Sequence, residues 1–393
     1  MFKKEAFHMA LQLWNGQGFT VRYWDGTEKN YGRTEPSFRI VFHREPKWTA
    51  HELTQGLDVL LGSAYMDGTA DLEGSWDNVI RTFFPKKFES REFHLSDLRR
   101  DLLKQEEERE RQNIHAHYDL GNDFFSLWLD PTMSYSCAYF QTPEDTLEQA
   151  QRQKISHSLK KLNLKPGESL LDIGCGWGEL IMEAARTYQV HAVGITLSHE
   201  QYEEASARIK KAGLEKMAEV RLMNYLDLDS KTERFDKIIS IGMFEHVGQK
   251  YLPLYMEKVS SLLKEGGLFL LHSIMGLREK QTNNWLNTYI FPGGYVPTVR
   301  ETADLFPDFG FYLLHMESLR RHYARTLTCW YEQFKKNESR LPANYDESFR
   351  RMWRLYLAGC AAAFRMGILD VAQFLVSKGT NDDLPMTYDY IYR

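Results

Sequence analysis

The run from Leu170 to Gly178, Leu-Leu-Asp-Ile-Gly-Cys-Gly-Trp-Gly, limits what this chain can fold into more than any other stretch. An apolar segment ends in glycines at alternate positions, Gly174, Gly176 and Gly178, and a helix-like segment follows. Glycine accepts positive φ and lets backbone pass close to a ligand with no Cβ in the way. The pattern is not the dinucleotide fingerprint, which spaces its glycines G-x-G-x-x-G and places an acid about 20 residues later. Here the spacing is G-x-G-x-G, and Asp172 stands ahead of the first glycine. A strand-to-helix turn that holds nothing would use the same residues, so the motif needs support from the rest of the chain.

With 393 residues there is room for two domains. Lysine plus arginine number 49 against 54 acids, a formal net charge of −5. That argues against a dedicated nucleic-acid binder, which carries a basic excess. It leaves open a local basic patch facing a membrane. The cysteines Cys137, Cys175, Cys329 and Cys360 are scattered and form no C-x-x-C pair. Neither a disulfide framework nor a metal site is expected, and a reducing cytoplasm fits. The start of the chain lacks the apolar core of a secretory signal. No run reaches about 18 apolar residues, so any membrane contact is expected to be peripheral, at the inner face.

Residues 1–92 read as a small separate α+β domain. Glycines break short aromatic strands such as Phe19–Tyr23 and Phe38–Phe42, and a helix is predicted from His51 to Leu61. Residues 93–115 are densely charged and predict a solvated helical linker. From 116 to 393 the character changes. Ile155, Leu159 and Leu162 recur at i, i+4, i+7 and predict a helix. Apolar strand candidates follow at Ser169–Ile173, Val190–Thr196, Glu219–Met223, Phe235–Ile241 and Gly267–Ile274. Helical stretches, notably Ser198–Lys211 and Pro253–Lys264, separate most of them. Alternating strands and helices imply a parallel sheet with helices on both faces. The last candidate strands are Phe311–His315 and Val371–Val376, with a segment rich in Trp, Tyr and Arg between them.

The G-x-G-x-G run resembles motif I of class I S-adenosylmethionine (SAM) methyltransferases. Further segments resemble the cyclopropane-fatty-acyl-phospholipid synthase family. They are His117–Phe125, Tyr135–Phe140, Leu171–Gly178, Gly194–Ser198, Gly242–Gly248, Ile290–Gly294, Leu327–Glu332 and Cys360–Arg365. The resemblance spans roughly residues 110 to 380. It implies a Rossmann-like α/β fold with a seven-stranded, mostly parallel sheet. It also implies a SAM site. Asp172, Gly174, Cys175, Gly176 and Gly178 would hold the amino acid part, joined by Tyr135 and Ser136. Many methyltransferases place an acid at the end of the second strand for the ribose. This chain has Thr196 and Leu197 there, with Gln201 one turn on, while Ser198 reads as an N-cap. Tyr225 and Leu226 fall where the adenine rests.

The implied activity is transfer of the SAM methyl onto a cis double bond of an acyl chain, followed by proton loss and closure of a three-membered ring. An alkene is a weak, uncharged nucleophile, so alignment and exclusion of water must do the work. Aromatic faces stabilise cations by about 0.5–2 kcal/mol each, which makes Tyr139, Phe140, Phe244 and Trp285 candidates. The resemblance also implies a bound bicarbonate as base, with the Cys137 backbone, Glu245, His272, the Ile274 backbone and Tyr323 as its ligands. An ionised carboxylate only accepts hydrogen bonds, so Glu245 suits the bicarbonate hydroxyl. Taken singly these residues read more plainly. His272 would be a satisfied core histidine, Glu245 part of a loop, Tyr323 nothing in particular, and Cys137 and Cys360 small buried apolar residues. Cys360 matches a family cysteine, but its apolar neighbours Ala358 and Ala361 disfavour a thiolate and suggest packing.

Implied partners are membrane phospholipids with unsaturated chains, and a homodimer is an open possibility. The stretch Trp285–Pro297 has the aromatic and glycine content of a lid over an apolar tunnel. Arg278, Lys280, Arg320, Arg321 and Arg325 are candidates to meet lipid phosphates. Related activities share the core: acyl-chain methylation giving branched or methylene products, and methylation of small-molecule nitrogen. A non-catalytic lipid- or SAM-binding protein would be expected to lack Cys137, Glu245, His272 and Tyr323 as a set, and all are present.

Overall fold

A computed structural model describes residues 2–83, 120–278 and 283–393, apart from 13, 15, 50, 51 and 53–55. The charged linker, part of the predicted helix at 51–61, and Lys280 lie outside the described residues. The chain forms two compact units. One comprises Met1–Leu95, Asn283–Ile290 and Leu327–Ile368; the other comprises Ser96–Thr282, Phe291–Thr326 and Leu369–Arg393.

The first unit holds a four-stranded sheet in the order β2-β1-β3-β4, made of β1 (Phe19–Arg22), β2 (Glu28–Tyr31), β3 (Phe38–Phe42) and β4 (Ala70–Gly74). Its core is aromatic, with Phe19, Tyr23, Phe38 and Phe42 buried and the Phe19 and Phe38 rings stacked at 5.4 Å. The helix Glu347–Arg365 packs on the helices Leu57–Met66 and Trp76–Phe83. Arg351 donates to the carbonyls of Tyr65 and Ala70 and to Asp71, and Arg365 pairs with Asp77. The contribution of 283–290 and 327–368 to this unit is a difference from the boundaries drawn along the sequence. Half-buried Arg351 and exposed Arg365 find their acceptors some 280 residues away in the chain.

The second unit is built on the strands β5 (Ser169–Ile173), β6 (His191–Thr196), β7 (Ala218–Leu222), β8 (Phe235–Ile241), β9 (Leu263–Gly276), β10 (Phe311–Ser318) and β11 (Leu369–Lys378). Their order is β10-β11-β9-β8-β5-β6-β7. Strands β5 to β9 pair in parallel, and β11 runs antiparallel to both β9 and β10. This is the expected α/β sheet, mostly parallel and seven-stranded. Alternate residues on each strand feed two apolar cores, one on each face. Leu171, Ile173, Ile238 and Leu271 pack with the helix Leu252–Leu262, while Leu170, Ile239 and Leu270 pack with the helices Leu147–Lys161 and Glu179–Tyr188. Both faces are covered, which is why the strands read as near-continuous apolar runs.

Chain order reverses between β5 and β8: β6 and β7 lie to one side, β8 and β9 to the other. Such a reversal leaves a crevice at the carboxyl ends of the strands, where ligands of doubly wound sheets bind.

Candidate active site

At that crevice lies a cavity of about 1180 Å³, open solvent at its mouth included. Asp172, Gly174, Cys175 and Gly176 line it from β5 and the turn that follows. All three motif glycines have positive φ, at 88°, 54° and 82°. A Cβ on Gly178 would stand 3.1 Å from that of Ala205, whereas one on Gly176 would meet nothing within 4 Å. Gly178 thus serves helix packing, and Gly176 leaves the cavity side open. Gly194 on β6 makes room for the turn itself, since a Cβ there would come within 2.7 Å of Cys175 Sγ. The N–H groups of Gly174 and Cys175 both donate to the Ile195 carbonyl at 3.0 Å, which fixes the turn against β6.

Thr196, Leu197, Gln201 and Tyr225 also line the cavity, as do Tyr135 and Ser136. Gly178 and Leu226 are not among its lining residues. Thr196 Oγ1 donates to Gln201 Oε1 at 2.8 Å and accepts from Ser198 N–H at 3.1 Å. Ser198 caps the helix His199–Ala212 by accepting from Gln201 N–H, the role read for it in the sequence. The Tyr135–Ser136 segment is pinned by the helix Leu147–Lys161. Gln151 donates to the carbonyls of Ser134 and Ser136 at 3.2 and 2.9 Å, and Lys154 Nζ donates to Ser136 Oγ at 3.0 Å.

Asn224, which the sequence places with Tyr225 and Leu226 in the adenine segment, lines the cavity, as do Trp177, Met243 and His246, which lie in the resembling segments but are not singled out there; Lys154 lines it with no signal in the sequence. Trp177 is oriented by its bond from Nε1 to Asn122 Oδ1 at 2.7 Å and packs on Phe125, which also meets Tyr135. Burial pulls Lys154 down to about 8, with Asp130, Cys137 and Asp172 opposing. Burial pushes Asp172 up to about 7, with Lys154 opposing, and it pulls His246 down to about 4. Asp172 accepts no hydrogen bond from the described residues although it is 3% exposed. A buried carboxylate beside an under-used ammonium, at the foot of an open glycine turn, suits the charged amino acid end of SAM.

The aromatic candidates do not gather at this cavity. Phe244 is fully buried in the core against Tyr255. Tyr139 is stacked between His157 and His322, with ring centroids at 4.2 and 4.7 Å. Phe140 lies under the guanidinium of Arg325 at 4.1 Å. Trp285 belongs to the first unit, where its ring fills the space above Gly62. Packing outcompetes the cavity for these rings: Phe140, Phe244 and Trp285 are buried, and half-buried Tyr139 is held by its stacking between two imidazoles. Arg325 is committed as well: it donates to the carbonyls of Thr142, Pro143 and Asp145, so its charge caps a turn.

The proposed base ligands lie beside the cavity, outside its lining. Glu245 follows β8 in a short 3₁₀ turn, one residue before His246. Its Oε1 accepts from Ile274 N–H at 2.6 Å, so that N–H is committed. Its Oε2 is buried with no partner among the described residues. Burial pushes Glu245 up to about 7, against the Ile274 N–H. His272 pairs with Ile241 across β8 and β9 and is 2% exposed. Burial, and after it the charges of Lys154 and Lys161, hold its imidazole well below the ordinary range. Its Nδ1 lies 3.0 Å from Gln373 Nε2, and its Nε2 bonds to none of the described residues. Cys137 Sγ lies 3.8 Å from the Leu319 carbonyl, the same carbonyl that accepts Tyr323 N–H, while Leu319 N–H reaches Val371, the register partner of Ile274. Backbone thus ties Cys137, Tyr323 and Ile274 into one neighbourhood. Burial keeps Cys137 a thiol, far above its usual pKa. Cys360 lies in the first unit on the helix Glu347–Arg365; the residue keeps partial exposure, yet burial of its thiol pushes it up to about 12. The second half of the aromatic stretch is tied down, Tyr295 N–H donating to the Glu245 carbonyl at 2.9 Å.

The sequence model of the mycolic acid cyclopropane synthetase family matches residues 105–374, and a domain of unknown function matches residues 6–92. A probable fatty acid methyltransferase of Pseudomonas putida is 36% identical over 99% of this chain and 98% of its own length. The cyclopropane-fatty-acyl-phospholipid synthase of Escherichia coli is 39% identical over 82% of this chain and 84% of its own. Among solved structures, the mycolic acid cyclopropane synthase CmaA1 complexed with SAH and CTAB is similar with a TM-score of 0.65, at 37% identity, over 68% of this chain and 98% of its own. The glycine turn, the sheet order and these matches agree: the chain belongs to the mycolic acid cyclopropane synthetase family of class I SAM-dependent methyltransferases.

Proposed function

We propose that this chain methylates a cis double bond in the acyl chain of a membrane phospholipid and closes a cyclopropane ring there, using SAM and a bound bicarbonate. One observation carries the reading. Two polar atoms on buried side chains, Glu245 Oε2 and His272 Nε2, have no hydrogen-bond partner among the described residues and sit beside the SAM-type cavity. Polar groups on buried side chains are nearly always paired, so such a site awaits a small ligand with both donor and acceptor atoms. Bicarbonate meets that need: its hydroxyl would donate to Glu245, and its oxygens would accept from His272 and Tyr323.

Asp172, Lys154, Gln201 and the glycine turn would hold SAM, which would supply an electrophilic methyl group. Glu245, His272, Tyr323 and the backbone of Cys137 would hold a bicarbonate that would supply the base, while Ile274 N–H, committed to Glu245 Oε1, would brace that carboxylate. The chain's own part is alignment and dryness. Thr196 and Gln201 present a neutral amide where an acid is usual, leaving Gln201 Nε2 to donate toward a ribose hydroxyl. Trp177, Tyr135 and Met243 wall the cavity with apolar surface. Water kept out cannot capture a cation on the acyl chain before its proton leaves. The balance would be that the methyl carbon breaks from the sulfonium sulfur, which keeps the bonding pair and departs as a neutral thioether, and joins one alkene carbon; the proton it then loses to the base leaves a pair that bonds it to the other carbon, so the lipid gains one CH₂.

Incubating the protein with methyl-labelled SAM and liposomes of cis-unsaturated phospholipid is expected to place label in a saturated ring. No transfer to lipid, or label on an amine nitrogen, overturns the reading. The full-length similarity to a probable fatty acid methyltransferase favours a second reading, a methyl-branched or methylene product from the same cation. Product mass with NMR separates the two. No helix among the described residues is long and apolar enough to cross a membrane, so lipid access is proposed to be peripheral, testable by liposome co-sedimentation.

A further inference from the structure

We infer that Gln373, locked by Lys161, is a positioning residue that fixes the tautomer of His272 so that its proton lies on Nε2. The inference rests on the reading of Glu245 and His272 as an anion site, and it concerns how that site is made ready. Lys161 is fully buried on the helix Leu147–Lys161, and its Nζ lies 2.7 Å from Gln373 Oε1 and 2.6 Å from Glu317 Oε2. An ammonium has three donors and no acceptor. The amide oxygen of Gln373 must therefore face Lys161, and its NH₂ must face the other way. There it meets two atoms: Ser158 Oγ at 3.1 Å and His272 Nδ1 at 3.0 Å. Ser158 Oγ spends its hydrogen on the Lys154 carbonyl at 2.8 Å, so it accepts from Gln373. The second amide hydrogen goes to His272 Nδ1, which must then be a bare acceptor. A neutral imidazole with an accepting Nδ1 carries its hydrogen on Nε2.

The chain of donors extends outward. Glu317 also bonds His157 Nε2 at 2.7 Å, and His157 stacks on Tyr139. Glu317 is held near 2: burial opposes this, but the bond from His157 and the charge of Lys161 outweigh it. A fixed carboxylate thus holds a fixed ammonium, which orients the amide, which orients the imidazole. His272 is left with a donor that bonds to no atom of the described chain, the arrangement an oxyanion needs.

Nitrogen NMR of histidine-labelled protein reads the tautomer directly, with His272 assigned by the signal lost in His272→Asn. In the parent, Nδ1 is expected unprotonated and Nε2 protonated near neutral pH. Gln373→Glu replaces the donating amide by a carboxylate that still pairs with Lys161 and now accepts from Nδ1–H, so the proton is expected to move to Nδ1. Turnover should fall by about 10- to 100-fold, the range found when a hydrogen-bond partner that orients a metal-bound imidazole is lost, while SAM affinity stays the same, because Gln373 does not line the cavity. A parent His272 protonated on Nδ1, or a Gln373→Glu protein with the parent's ring signals, overturns the inference. If Gln373→Glu does not fold, the parent spectrum and Lys161→Met, which frees the amide to rotate and should yield mixed tautomers, decide it. The expected tautomer together with turnover indifferent to added bicarbonate would leave the inference standing and remove the bicarbonate reading instead.

Discussion

Replacing Glu245 by glutamine sets stability against turnover at a single position. The carboxyl is pushed by burial from its ordinary 4.5 up to about 7. Between those values the folded chain keeps a proton that the unfolded chain has released. The unfolded state therefore binds fewer protons, and stability falls as pH rises through this window. At about 1.4 kcal/mol per pH unit, ionised Glu245 costs the native state about 3 kcal/mol above pH 7. Glutamine keeps a carbonyl for Ile274 N–H and carries no charge. In ligand-free protein Glu245→Gln is expected to be about 2–3 kcal/mol more stable than the parent near pH 8, with the difference vanishing toward pH 4.5. Urea melts of both proteins across that range give the difference directly, and groups such as Asp172 that titrate in both cancel. Turnover should move the opposite way, falling about a hundredfold or more if Glu245 holds the base, with SAM affinity preserved. A variant no more stable than its parent near pH 8, or a gain that ignores pH, refutes the account of Glu245 as a buried, under-partnered carboxylate.

Gly194→Ala drives a Cβ to within 2.7 Å of Cys175 Sγ and 3.0 Å of Ile181 Cδ1; thermal melts should show a loss of about 1–3 kcal/mol, with weaker SAM binding because the glycine turn must shift. Gln201→Leu strips Thr196 of its acceptor and the cavity of an amide; calorimetry should record SAM affinity about tenfold lower, in line with about 1–1.5 kcal/mol for one hydrogen bond. Arg325→Met removes donors to three carbonyls and a cation over Phe140; it should lower stability by about 1–3 kcal/mol while leaving binding to anionic liposomes unchanged, whereas lost liposome binding at parental stability would return Arg325 to the role of a phosphate ligand.

What could be read along the chain is what local rules govern. β5 and β8 fall on the predicted residues, because an apolar run bounded by turn residues marks a strand buried on both faces. The glycine turn was legible for the same reason: positive φ at Gly174 and Gly178 is a demand on residue type. Ser198 announced itself as a cap by its place ahead of a helix. The helix Leu147–Lys161 held more than its apolar stripe revealed. Lys154, His157, Ser158 and Lys161 recur at i, i+3, i+4, i+7, a polar stripe on a helix buried on that side too. The periodicity was there, but the sequence does not say that a row of polar residues faces protein instead of water.

Tertiary structure alone decided the partnerships. Gln373 and Lys161 stand 212 residues apart, and only the antiparallel placing of β11 beside β9 brings the amide to His272. Likewise Arg325, a candidate from sequence to meet lipid phosphates, donates to the carbonyls of a turn about 180 residues earlier. Aromatic residues that suit a cation on chemical grounds, Phe244 and Trp285 among them, are taken by cores that enclose them more fully. The physical reason is common to all three: backbone φ preferences and apolar periodicity act within a few residues, whereas a buried charge or ring is settled by whichever partner the fold places next to it.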